Sequence, residues 1–75
     1  MNNIPSKETI QLDLKNTEKE INAYAAILGG YRDLQSLPEN PPGKYRLEIM
    51  RFETSLSECQ AFYEKLKGIF GRINK

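Results

Sequence analysis

Residues 45–73, YRLEIMRFETSLSECQAFYEKLKGIFGRI, decide the fold of this chain. Tyr45, Ile49, Phe52, Leu56, Cys59, Tyr63, Leu66, Phe70 and Ile73 follow one another at alternating steps of four and three residues. The mean step of about 3.5 is the period of an amphipathic helix that packs along its whole length against another helix. So long an apolar stripe needs a second helix to cover it, in the same chain or in a partner.

The same chain supplies one. Ile10, Leu14, Thr17, Ile21, Tyr24, Leu28 and Tyr31 repeat the alternation, with Thr17 as a polar interruption. Ser6 is placed to cap this helix, and Glu8 suits its positive end. Ile10 to Leu14 also alternates with period two, a strand pattern. Helix is the better reading, because the longer period continues past it. Between the two seams, Pro38, Pro41, Pro42 and Gly43 stop any helix. The expectation is an all-α antiparallel helical hairpin in a single domain spanning 1–75. Its first helix runs over about 6–37, its turn over 38–43 and its second helix over about 44–74. Met1 to Pro5 reads as a loose tail. Gly29-Gly30 is the weak point of the first helix, since each glycine costs about 1 kcal/mol relative to alanine. A break there, giving a third short helix, is the alternative.

The expected hairpin core is Ile21, Tyr24 and Leu28 against Ile49, Phe52, Leu56, Tyr63, Leu66 and Phe70. Cys59, on the same seam, reads as a small buried hydrophobe. Other apolar residues fall off the seams. Phe62 and Ile69 widen the second stripe on one side, and Leu47 and Met50 lie on the opposite face. Leu12, Ile27 and Leu34 are off the first seam. Two helices cannot bury all of these, so Leu47, Met50, Phe62 and Ile69 are the expected partner-binding residues. The partner is another protein, or the chain itself as a homo-oligomer.

Other classes of function find little footing. The chain has no histidine and one cysteine, which leaves no ligand set for a metal and no internal disulfide. No cofactor motif or catalytic constellation is visible, and Glu18 and Glu20, two residues apart on a helix, face different directions. An enzyme is not expected. A net charge of +1 speaks against a binder of nucleic acid. No apolar run is long enough for a membrane span. The first six residues lack the pattern of a signal peptide, which predicts a cytoplasmic protein and leaves open export without a cleaved signal. Lys65, Lys67, Arg72 and Lys75 crowd the C-terminal end, where they suit the negative helix terminus.

The turn Pro38-Glu39-Asn40-Pro41 resembles the Pro-x-Asn-Pro turn of type III secretion needle subunits. Phe52-Glu53-Thr54-Ser55-Leu56-Ser57-Glu58-Cys59 is similar to the aromatic-x-x-x-Leu-Ser-Glu-aromatic segment of their second helix. In those subunits the second segment lies closer to the turn, a longer tail follows, and an aromatic stands in place of Cys59. The small helical-hairpin co-chaperones that cap such subunits are similar in size and shape. The resemblance implies a non-enzymatic secretion chaperone, or an exported structural subunit, with the seam as contact surface. A small chaperone or adaptor of a secretion apparatus is the expected function; the alternatives are a phage- or plasmid-type regulator that inhibits a larger enzyme by covering its surface, and a self-assembling filament subunit.

Overall fold

Ser6 starts the first helix as its sequence position requires: its side-chain oxygen accepts from the Thr9 backbone N–H at 3.1 Å. The computed structural model describes residues 6–73. They form two helices, α1 (Lys7–Gln35) and α2 (Arg46–Ile73), packed side by side as an antiparallel hairpin. The expected tail at Met1–Pro5 and the expected end of the second helix at Asn74 lie outside the described residues.

The register follows from pairs across the hairpin. Tyr31 sits between Tyr45 and Phe52, with ring centroids 5.6 and 5.7 Å away, and Tyr24 packs on Phe52 at 6.0 Å. At the open end, the Lys7 ammonium lies 5.9 Å from the Phe70 ring centre. Chain reversal is held by side chains rather than by the prolines alone. The Gln35 amide donates to the Pro41 carbonyl at 2.8 Å and accepts from the Tyr45 N–H at 2.7 Å. Asn40 donates to the Leu34 carbonyl, one of the orphan acceptors at the end of α1. Gly43 takes φ +79°, a left-handed conformation that suits glycine.

One alternative falls, and two sequence expectations need correction. α1 runs unbroken through Gly29-Gly30, so no third helix forms. Leu28 is only 3% exposed and Tyr31 is fixed by two aromatic neighbours, so packing on both sides holds the glycines in the helix. Thr17 does not interrupt the seam. It is 4% exposed, as buried as Leu28 and Leu66. Helix boundaries are also tighter than expected, because Ser36 caps α1 and Lys44 and Tyr45 belong to the turn.

The glycine pair yields a prediction. A Cβ at Gly29 or Gly30 would meet nothing within 4 Å. Gly29→Ala and Gly30→Ala should each stabilise the hairpin by up to about 1 kcal/mol. Thermal melts of the double variant should show a midpoint several degrees higher. A lower midpoint would mean that α1 needs to bend there.

The core is thin. Among the described residues only Ile10, Leu28 and Leu66 are buried apolar side chains. Ile21, Tyr24, Ile49, Phe52, Leu56, Tyr63 and Phe70, expected in the core, line the helix interface but are half-buried. The molecule is a rod of 58 × 17 × 16 Å. Its radius of gyration is 17.0 Å, against about 11 Å for a compact chain of this length. Its accessible surface is 5841 Å², against about 4,700 Å² for a compact 8.6 kDa protein.

Candidate protein-binding surface

The two flanks of the hairpin differ in chemistry. On one, Arg32 donates to the Glu53 carboxylate at 2.7 Å, and the Tyr63 hydroxyl donates to Glu18 at 3.3 Å. The Arg32–Glu53 pair is solvent-exposed and worth at most about 1 kcal/mol, so it sets register more than stability.

The other flank is built from residues seven apart, which a helix places on one side. α1 contributes Glu20, Ile27 and Leu34, and α2 contributes Glu48, Ser55, Phe62 and Ile69. Glu20, Ser55 and Phe62 line one shallow crevice of about 210 Å³ that crosses between the helices, together with Thr17, Tyr24, Glu58 and Cys59. Nearer the turn, Ile27, Gly30, Tyr31 and Leu34 line an open apolar groove of about 420 Å³. Ile27 and Leu34 are each 42% exposed and Phe62 is 50% exposed. No cross-helix hydrogen bond or ion pair is formed between the described residues of this flank. One carboxylate oxygen of Glu48 is buried there without a hydrogen-bond partner. Such a group costs roughly 1–3 kcal/mol unless a donor reaches it.

A third surface is the outward side of α2, where Leu47 and Met50 are 72% and 51% exposed. The four expected contact residues therefore fall into two separate places. Phe62 and Ile69 belong to the apolar flank, with Ile69 half-buried, and Leu47 and Met50 face away from α1. Leu12 on α1 and Leu37 in the turn are also exposed. The flank went unseen in the sequence because it depends on the register between helices, which no single helical wheel contains.

Cys59 is half-buried at the crevice rather than enclosed. Burial, reinforced by the carboxylates of Glu20 and Glu58, raises its thiol above the ordinary value. Its alkylation by iodoacetamide near neutral pH should be a few-fold slower in the folded chain than in urea, because less thiolate is present. Equal rates would mean that the thiol is free of both effects. The sign for stability follows. A raised thiol pKa leaves stability intact below the ordinary value of 9.0 and erodes it as pH rises beyond that value.

Among the described residues no group of three potential metal ligands occurs, and no helix is long and apolar enough to cross a membrane. No family model, no curated protein and no solved structure matches this chain. The likeness to secretion-needle proteins rests on the turn and on residues 52–59 alone. There, Asn40 caps α1, and Phe52 packs on Tyr24 and Tyr31.

Proposed function

We propose that this chain is a non-enzymatic protein-binding module that holds a helix of a partner protein against its apolar flank. In this reading it serves as a small cytoplasmic chaperone or adaptor of a secretion apparatus. The observation that carries the proposal is the unpaired flank of Ile27, Leu34, Phe62 and Ile69, opposite a flank closed by polar pairs. The thin core supports it, since Phe62, Ile27 and Leu34 stay exposed on that flank. An amphipathic helix laid into a groove is a common way to cover such a face.

The test is capture from native host extract with the tagged full chain, read by mass spectrometry. A single helical protein retained by the wild type and lost with Phe62→Asp would support the reading. A catalytic turnover traced to this chain, or capture indifferent to Phe62→Asp, would overturn it.

A further inference from the structure

We infer that the helix held on the apolar flank is basic along the edge that lies over α1, with arginine or lysine side chains set against Asp13 and Glu20. This deepens the proposed function by naming the partner's chemistry, and it rests on that reading.

The flank carries acids and no base. Seven-residue steps add Asp13 to its α1 side, ahead of Glu20, Ile27 and Leu34. Every titratable group at the flank positions of either helix is then a carboxylate: Asp13, Glu20 and Glu48. The whole chain has a net charge of +1, so this acidity is local. On the opposite flank charge is paired, Arg32 with Glu53.

Asp13 and Glu20 lack a counter-charge. No lysine or arginine stands three or four positions from either, the separations at which helical neighbours pair. The same holds for Glu58, which reaches the crevice from α2. Among the described residues none of the three forms an ion pair. The border beyond them on α1 is uncharged, with Asn16, Ala23 and Gly30, and Lys15 and Lys19 fall on the outward side of the helix. Lys65 and Arg72 border the flank on its far side, along α2, and leave these acids unpaired. Glu48 differs, since Lys44 and Arg51 stand four and three positions away, and it is not part of the contact.

The crevice responds to the unpaired charge. After burial, it is the charge of Glu20 and Glu58 that lifts the Cys59 thiol, so their field reaches inside. Phe62 lines the same crevice with half of its surface in solvent. A cation placed there gains both carboxylates and an aromatic neighbour. An acidic edge would set like charges against the flank. An uncharged edge would strip water from carboxylates and give them no counter-ion. Position along the rod adds a second constraint. Ile27 and Leu34 lie toward the turn, whereas Asp13 and Glu20 lie toward the open end, about 10 Å apart along α1. A partner helix with two bases seven residues apart, next to an apolar stretch, matches both halves.

The test uses a synthetic helical peptide of about 18 residues, with leucines along one face and two arginines seven positions apart on its edge. Matched peptides carry glutamine or glutamate in place of the arginines. Fluorescence anisotropy of each labelled peptide against the purified full chain reads the affinity. The arginine peptide should bind about tenfold tighter than the glutamine peptide, a few-fold for each exposed pair. The advantage should shrink at about 1 M salt, where screening acts within about 3 Å. It should vanish in the Asp13→Asn/Glu20→Gln variant, whose circular dichroism should match that of the wild type. Equal affinity for the arginine and glutamine peptides would overturn the inference. So would preference for the glutamate peptide, a preference that survives the double variant, or no binding of any peptide. A host partner lost with Phe62→Asp but held undiminished by the double variant would overturn this inference and leave the proposed function standing.

Discussion

Leu66→Ala is expected to lower the thermal midpoint by about 10–30 °C, the largest stability effect of any single truncation in α2. The size follows from how few side chains are buried. Leu66 is 4% exposed and is the only buried residue among the described residues of α2. Removing a buried leucine side chain costs about 2–5 kcal/mol through lost transfer energy and the cavity left behind. A domain of this length has roughly 4–11 kcal/mol of stability in total. Each kcal/mol moves the midpoint by about 4–8 °C for a chain of this size. Leu28→Ala should behave in the same way from the other helix. Gln60→Ala, exposed on α2, should move the midpoint by no more than a few degrees. Thermal melts of the three variants check the account. A loss under about 1 kcal/mol at Leu66 would mean that the half-buried residues carry the fold and that the core has been misplaced.

Phe62→Asp is expected to weaken partner binding by about 30-fold or more while leaving the helices intact. Phe62 stands at the edge of the crevice with half of its surface in solvent. Aromatic anchors at the centre of an interface cost at least about 2 kcal/mol when truncated, and each 1.4 kcal/mol is a factor of ten in affinity. An aspartate adds the desolvation of a charge in an apolar contact beside Glu20 and Glu58, already acidic neighbours. The affinity of the captured partner for wild type and variant, with circular dichroism of both, gives the answer. If the variant unfolds, Phe62 belongs to the internal core and the flank is not a free surface.

The hairpin was legible in the sequence because its determinants are local. Seven- and nine-residue seams with alternating steps of three and four define the helices, and three prolines with a glycine define the turn. What was not legible depends on contacts between distant residues. Propensity allows a break at Gly29-Gly30, but Leu28 and Tyr31, on either side of the pair, pack against the interface, Tyr31 on Tyr45 and Phe52 of the turn and α2, and hold the helix through it. Thr17 has a polar side chain small enough to be covered, so burial there follows from shape and not from hydrophobicity. Cys59 lies on the seam yet remains half-open, because two helices cannot enclose a layer on both sides. The contact residues were recognised as leftover apolar side chains. Their division into a flank around Phe62 and an outward side with Leu47 and Met50 required the register between α1 and α2. The identity of the partner is written in another chain.

The central claim is that the apolar flank is covered by polypeptide when the chain works. Hydroxyl-radical footprinting of Phe62 tests it most directly, comparing the full chain in native host extract with the purified chain at high dilution. The account predicts strong protection of this side chain in the extract and free oxidation at dilution. Equal oxidation in the two conditions would contradict it.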